Sequence, residues 1–521
     1  MQGGAEAAGA RAARFSWPLA ALTAAALGLR LFRLDFRSIW LDEAYSLVLA
    51  ASNWAGIIRG ASMDIHPPLY YLLLAGWIRV FGTGEFAARA LSAVLGAALV
   101  PAVWLLARRL ANPRVAGWAA ALAAFSPYLI EISRSARMAS LLALTSILSL
   151  YFFWRLVQGE NWRTGLAYLL ATLGAVYTHY FAFLVVFSQN LFLFMGLKQL
   201  QLPRAVRQRW FQIQIVLLAG FAPWLSHFYF HLLKGGPSWR GVGAGWLEPA
   251  RSLYHFFVGT CCWSPWDKIL ALGFLGLALL LVLWGLRSKI REAYSALAPR
   301  AWGLLLTMIF APLGLVLVYS WNRLNVFDDR YLAFVGVMLL VILGVLLAQL
   351  PRRLAVAAGV LFLAAFAVPL RNQYFVYGYY DNWRAAGAYL NAEAAPGDKV
   401  AIYPAWDETP LQYYLRGRLA VQGIPGTYDP VSGNTRGYFT VDPKSLHHLQ
   451  SLFIAEQRVW LVTVNPGPAQ DLIRRWFASE YTLRQRRVFG GIRIESFSRT
   501  PFPAGKAAAA AEPQLDPGMH P

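Results

Sequence analysis

Long apolar runs separated by short polar and basic breaks fill the first three quarters of the chain. A crossing helix needs roughly 17 to 25 mostly apolar residues. On that measure the pattern predicts about eleven spans, near residues 17–34, 86–107, 115–130, 138–156, 164–177, 181–197, 211–230, 268–286, 302–320, 331–350 and 354–370. From Asn372 the pattern changes. Short apolar runs such as Lys399 to Tyr403 and Arg458 to Val464 alternate with polar turns, as strands do in a soluble α/β domain. The expected fold class is an all-α polytopic membrane domain with a long first outer loop, followed by a small extracytoplasmic α/β domain. The expected boundaries are a cytoplasmic N-terminal segment at 1–16, the membrane domain at 17–371, the α/β domain at 372–498 and a disordered tail at 499–521.

Composition excludes an ordinary soluble enzyme: 58% of the 521 residues are hydrophobic and 14% charged, with a mean hydropathy of +0.44. A net charge of +21 invites a nucleic-acid reading. The basic residues, however, fall in clusters between apolar runs: Arg108/Arg109/Arg114, Arg155/Arg163, Lys198/Arg204/Arg207/Arg209, Arg287/Lys289/Arg291/Arg300 and Arg352/Arg353. That is the positive-inside pattern, so the charge reports topology and no nucleic-acid partner is expected. An odd span count then leaves the N-terminus in the cytoplasm of a prokaryote and the α/β domain outside its plasma membrane. The stretch from Arg163 to Lys198 is basic at both ends and too long to cross once, so Tyr177-Thr178-His179-Tyr180 becomes an outer turn. Arg30, Arg33 and Arg37 run against the charge rule at the outer end of the first span; contact with lipid phosphates, contact with substrate and simple snorkelling all remain open for them. Arg11 and Arg14 before an apolar stretch imitate a signal peptide. With so many spans following, the stretch reads as an uncleaved first span. Cys261 and Cys262 are adjacent, a spacing that strains a bridge, and read as unpaired loop residues.

The loop from Asp35 to Glu85 holds the candidate chemistry. Its segment Leu69 to Phe81 is apolar but too short to cross, and reads as an interfacial helix. Leu41-Asp42-Glu43-Ala44 puts two carboxylates at a membrane boundary, where charge is costly. Successive side chains on a helix diverge by about 100°, so one acid acts and the other supports. One carboxylate suffices where an acceptor hydroxyl loses a proton while a charged leaving group departs unaided. A sugar carried on a lipid phosphate is such a substrate, and its leaving phosphate calls for cations and hydrogen-bond donors. In Asp64-Ile65-His66-Pro67-Pro68, the proline holds His66 out of helical conformation, and the N–H groups of Leu69 and Tyr70 open the following helix to an anion. Arg137, His179 and Arg330, the last in Asp328-Asp329-Arg330-Tyr331, fall at expected outer boundaries. Each has a plainer role open to it, as helix cap, headgroup anchor or turn residue. What favours the functional reading is that all map to one side under a topology drawn without them.

At these residues the chain resembles prokaryotic membrane glycosyltransferases of the GT-C superfamily, in the branch of the dolichyl-phosphate-mannose protein mannosyltransferases (family 39-like) and the aminoarabinose transferases of lipid A. The resemblance runs from about Arg30 to Tyr331, through Trp40 to Ser46, Asp64 to Tyr71, Glu85 to Arg89, Ser133 to Met138 and Tyr177 to Tyr180. It implies an enzyme that moves a sugar, mannose or another hexose or pentose, from a polyprenyl-phosphate donor to an extracytoplasmic protein, lipid or glycan, with inversion. It places the base on Asp42 with Glu43 as its neighbour and a donor-phosphate contact on His66; with His66, the residues Asp64, Arg89, Arg137, His179, Asp329 and Arg330 make up the expected substrate-binding set. Two positions depart from the pattern: Ser135, where relatives usually carry an acid, and Ala75, where histidine is common. The missing acid argues against a metal site there unless Glu131 replaces it, so no cofactor and no essential divalent metal is expected. Two other classes stay open. A transporter or flippase of a lipid-linked substrate predicts charges near span centres and paired repeats, whereas these charges gather at one boundary. A decayed scaffold displaying the outer domain predicts loss of Asp42, Glu43 and His66, which are present.

Overall fold

The computed structural model describes residues 17–200, 202–234, 245, 247–287, 294–321, 325–376, 381–426, 449, 452–453, 456–464 and 467–499. The expected N-terminal segment 1–16 and the tail from residue 500 lie outside the described residues. The helices, in chain order, are α1 (Trp17–Leu31), α2 (Leu41–Ala51), α3 (Trp54–Met63), α4 (Leu69–Phe81), α5 (Glu85–Leu110), α6 (Pro113–Phe125), α7 (Pro127–Ser133), α8 (Ala139–Val157), α9 (Trp162–Val176) and α10 (Ala182–Leu200). They continue as α11 (Arg204–Lys234), α12 (Glu248–Val258), α13 (Pro265–Leu286), α14 (Pro299–Trp321), α15 (Ala333–Gln349), α16 (Arg352–Phe375), α17 (Trp383–Glu393), α18 (Glu408–Leu415) and α19 (Pro468–Glu480). The chain divides into two compact units: Met1–Phe32 with Ser92–Arg371, and Arg33–Leu91 with Asn372–Pro521.

The first unit is helical. A helix lies at every one of the expected spans, and among the described residues seven are long and apolar enough to cross a membrane, or eight if the bent pair α6–α7 counts as one. The chain is a multi-pass membrane protein. The remaining expected spans fall on shorter helices, among them α1 and α9 with 15 residues each. Helix starts follow side-chain caps. Asn112 and Asn161 accept backbone N–H groups at the heads of α6 and α9, and Ser264 caps α13 ahead of Pro265. Helix α15 is apolar along its whole length and largely buried, whereas α13 buries few of its residues. A helix apolar all round belongs in the interior, so α15 forms the middle of the unit. It crosses α6 where a Cβ on Gly344 would lie 3.0 Å from the backbone of Val115 and Ala119. A Cβ there would press on that backbone, and glycine relieves the contact.

The second unit joins the first loop to the sheet domain. Its five strands are β1 (Lys399–Tyr403), β2 (Ala420–Gly423), β3 (Arg458–Val464), β4 (Thr482–Phe489) and β5 (Ile492–Ser498), in the order β2-β1-β3-β5-β4. The two strands expected from the sequence, β1 and β3, pair in parallel at the centre, while β5 runs antiparallel to β3 and β4. Alternate side chains leave opposite faces of a strand. Val400, Ile402, Trp460 and Val462 accordingly pack with Trp383, Leu390, Leu411 and Leu415 of α17 and α18. Ala401, Val459 and Leu461 pack with Ile473 and Phe477 of α19. Helix α4 buries Tyr70, Tyr71, Leu74 and Ala75, which fits an apolar segment that packs rather than crosses.

Candidate active site

In the loop-and-sheet unit, Trp40 is the N-cap of α2, and its N–H donates to the Glu43 carboxylate at 3.4 Å. The same carboxylate receives two bonds from Arg89, from Nε at 2.7 Å and Nη2 at 2.6 Å. Both side chains are buried, Glu43 at 0% exposure and Arg89 at 3%. Arg89 also donates to the carbonyls of Leu34 at 3.0 Å, Arg37 at 2.7 Å and Ser38 at 2.9 Å. Removing one partner of such a buried pair typically costs about 3–5 kcal/mol, because the other charge stays in place without water. The pair thus fixes the head of α2 and the strand of chain entering it. Asp42, one residue earlier and about 100° around the helix, is half-buried.

The second polar cluster of the loop closes on itself. Asp64 Oδ2 lies 2.8 Å from His66 Nδ1 and accepts the Tyr71 hydroxyl, also at 2.8 Å. With the carboxylate ionised, Nδ1 carries the proton and Nε2 is the ring's outward functional atom, an acceptor when the ring is neutral and a donor when protonated. Pro67 and Pro68 hold the short break between Asp64 and α4, and Tyr71 in the first turn of α4 completes the triad. Tyr71 meets Tyr45 of α2 edge-on, with ring centroids 6.3 Å apart, so the Asp42 helix and the His66 cluster share one wall. Ala75 is buried in α4 at 2% exposure. Of the arginines that broke the charge rule, Arg33 lies 4.2 Å above the Phe36 ring, and Arg37 reaches the Asn372 carbonyl at 3.5 Å.

In the membrane unit, Arg30 is fully buried. Its guanidinium donates to the carbonyls of Ala123 and Ala124, at 3.5 and 3.2 Å, where α6 ends and the chain bends by 55° into α7. Pro127 ends α6, and Arg30 satisfies carbonyls the break sets loose inside apolar surroundings. Arg134 does the reverse, donating to the carbonyls of Arg30 at 2.9 Å and Phe32 at 2.6 Å just past α1. A Cβ on Gly96 would sit 2.0 Å from Ser133 Oγ and 3.0 Å from Arg30 Nε, so glycine makes room for this crossing. The structure gives Arg30 a role outside those three, capping the carbonyl end of α6.

Around the start of α8, Arg137 is 5% exposed and its carbonyl accepts from Ser92 Oγ at 3.1 Å. His179 stacks on Tyr331, with centroids 3.8 Å apart, and Tyr331 in turn contacts the Met138 sulfur at 3.8 Å. The Phe181 N–H donates to His179 Nδ1 at 3.0 Å, which leaves Nε2 as the protonated nitrogen of the ring. Asp328 holds the Arg330 guanidinium at 3.1 and 2.8 Å and also caps its N–H at 3.1 Å. Asp329 binds Ser252 Oγ and, at 2.5 Å, His255 Nδ1. Glu131, the possible stand-in for an acid at Ser135, bonds to the Thr260 N–H at 2.9 Å and to its hydroxyl. Among the described residues no group of three or more His, Cys, Asp or Glu could hold a metal ion. Cys261 and Cys262 are buried and are not joined in a disulfide.

At the far end of α8, a helix about 28 Å long at 1.5 Å per residue, three basic clusters converge. Arg109, Arg155 and Arg209 all bond to Glu160, the last through its carbonyl at 2.5 Å. Within this unit the structure therefore brings Arg137, His179 and the Asp328-Arg330 segment to one end of α8 and the basic clusters to the other. Tyr71 and Tyr331 had not been singled out in the sequence. Tyr71 had a readable signal, seven residues after Asp64 in the first turn of a helix; Tyr331, 152 positions from His179, had none.

The family model for dolichyl-phosphate-mannose-protein mannosyltransferases matches residues 65–227. No curated protein matches the chain by sequence. Among solved structures, ArnT from Cupriavidus metallidurans bound to undecaprenyl phosphate is similar at a TM-score of 0.55 and 17% identity, covering 96% of this chain and 100% of its own. The apo state of the same protein gives 0.57 and 16%, covering 95% and 98%. The oligosaccharyltransferase AglB of Archaeoglobus fulgidus, in complex with an inhibitory peptide and a dolichol-phosphate, gives 0.52 and 13%, covering 86% and 69%. At these identities the neighbours establish the fold. The family match and the shared fold bear out the resemblance to GT-C membrane glycosyltransferases of the protein mannosyltransferase and ArnT branch.

Proposed function

We propose that the protein is a glycosyltransferase that takes a sugar from a polyprenyl-phosphate donor and passes it, with inversion, to an acceptor outside the cytoplasm of a prokaryote. The family match over residues 65–227 and the fold it shares with ArnT support the class. The single observation that carries the mechanism is the division of labour at the head of α2. Glu43 is committed to Arg89 in a buried bidentate pair, and Asp42 is the more accessible of the two acids, half-buried, which supports Asp42 as the general base. In the reaction Asp42 removes the acceptor proton as the acceptor oxygen or nitrogen bonds to the anomeric carbon. The bond from that carbon to the phosphate oxygen breaks, and the lipid phosphate leaves with the electron pair. His66, held by Asp64, and Arg137, His179 and Arg330 supply donors for the charge on the leaving phosphate. Arg89 and Asp329, expected in the substrate-binding set, act as positioning residues in this account, because their polar atoms serve Glu43 and the loop carbonyls, and Ser252 and His255. Residues 17–371 form the catalytic membrane domain and 372–498 the outer domain, with the N-terminus and the Glu160 cluster cytoplasmic. No essential metal is required.

The test is transfer in proteoliposomes with a panel of polyprenyl-phosphate sugars and membrane extract as acceptor. Transfer by wild type that disappears in folded Asp42→Asn is the expected result. Turnover near wild type in that variant removes Asp42 from the mechanism.

A further inference from the structure

A cavity of about 580 Å³ opens in the loop-and-sheet unit, lined by Glu85, Arg384, Asn391, Tyr413, Arg416 and Arg418 among others. That volume lies within the range of ordinary ligand sites, about 300–1,000 Å³. Its charge is lopsided. Glu85 is the lining carboxylate and is already paired with Arg384. Arg416 and Arg418 are exposed, and among the described residues neither forms an ion pair. Arg416 also occupies a left-handed backbone position, φ 51°, as the C-cap of α18, where glycine is the favoured residue. A long cation is thus held at the cavity at a conformational cost. Deeper in, Asn391 donates to the Tyr414 carbonyl at 3.1 Å, while its Oδ1 is buried and accepts no hydrogen bond among the described residues. That atom suits a hydroxyl of a ligand. Tyr413 adds a half-buried aromatic wall; its pKa is pushed up to about 12 by burial and then by the charge of Glu85, so it stays neutral, with its hydroxyl donating to the Thr83 carbonyl at 2.9 Å.

The cavity is also wired to the loop that carries Asp42. The Tyr414 hydroxyl accepts the Ile39 N–H at 2.6 Å and donates to Glu85 at 2.7 Å. Arg384 donates to the Asp35 carbonyl, and α18 packs on α2. We infer that this cavity binds an anionic saccharide group of the acceptor, a sugar phosphate or a uronate, through Arg416 and Arg418 with Asn391 taking a hydroxyl. The inference rests on the glycosyltransferase reading and adds the acceptor class to it.

Binding is tested without turnover, on the full chain in nanodiscs titrated calorimetrically with glucose 6-phosphate, glucuronate and glucose. Both anions should bind at least tenfold more tightly than glucose. Arg416→Ala with Arg418→Ala, and separately Ala388→Trp as a plug at an exposed lining position, should each weaken the anions by tenfold or more. Asp42→Asn should leave this binding unchanged, which separates the outcome from the fate of the catalytic proposal. No preference for the anions, or a preference that survives both the double substitution and the plug, overturns the site. In transfer assays the same variants should raise the acceptor KM by tenfold or more with kcat unchanged. Anion binding lost in the variants alongside an unaltered acceptor KM overturns the acceptor assignment.

Discussion

The chain carries two adjacent acid pairs at expected outer membrane boundaries, Asp42-Glu43 and Asp328-Asp329, and their surroundings give them different work. In the second pair both acids are committed: Asp328 clamps Arg330 and caps its N–H, and Asp329 holds Ser252 and His255. In the first pair Glu43 alone enters the buried pair with Arg89, and Asp42 sits one helical step away, half-buried. An acid pair therefore means little until its partners are known. What distinguishes a brace from its neighbour here is burial with a cation: Glu43 is sealed in with Arg89, and Asp42 keeps part of its surface open.

The largest expected effect separates the members of the first pair. Asp42→Asn should lower kcat by about 10²–10⁴-fold, the scale of general-base catalysis, with an unchanged melting temperature. Next comes the brace itself. Arg89→Leu should destabilise the protein by about 3–5 kcal/mol by stranding Glu43 in a buried position, and adding Glu43→Leu should recover part of that loss in thermal melts. A full loss that the double variant does not relieve would mean the pair is not the anchor of α2. Smaller still, Asp329→Asn should cost about 1–3 kcal/mol, the scale of a buried partner lost from a charged hydrogen bond, with transfer activity retained in the folded fraction. Activity falling as far as in Asp42→Asn would erase the contrast between the pairs.

A third acidic setting gives the smallest effect and a different sign. Asp407, buried in the sheet domain with Asp381 nearby, has its pKa raised well above the usual 3.8, by burial first and by Asp381 second; burial also raises Asp381. A carboxyl whose folded pKa is raised contributes stability below its unfolded pKa and loses it as pH rises through the folded value. Asp407→Asn should therefore raise the melting temperature by a few degrees at pH 7.5 and leave it nearly unchanged near pH 3.5. Lower stability of the variant at neutral pH would show a bonded, charged carboxylate there instead.

Much of the architecture was legible because it depends on local pattern. Every expected span lies on a helix, and the strands at Lys399–Tyr403 and Arg458–Val464 appear with those bounds. Span length was less legible: α1 and α9 are short, and α6 breaks at Pro127, since packing decides where an apolar run bends. The candidate site was legible as residue types at one boundary, and its wiring was not. Arg89 reads as a cation near a motif, yet it works as the partner of Glu43, 46 positions away. Arg30 looks like a topology violation until the loose carbonyls of Ala123 and Ala124 are seen above it. Both relations are made by tertiary packing, and no period or spacing announces them.

The most direct measurement is the single-turnover rate of sugar transfer in proteoliposomes, comparing Asp42→Asn with Asp328→Asn at saturating donor. The chemical step should be lost by about 10²–10⁴-fold in the first and kept within tenfold in the second. Equal rates in the two variants, or a wild-type rate in Asp42→Asn, would contradict Asp42 as the general base.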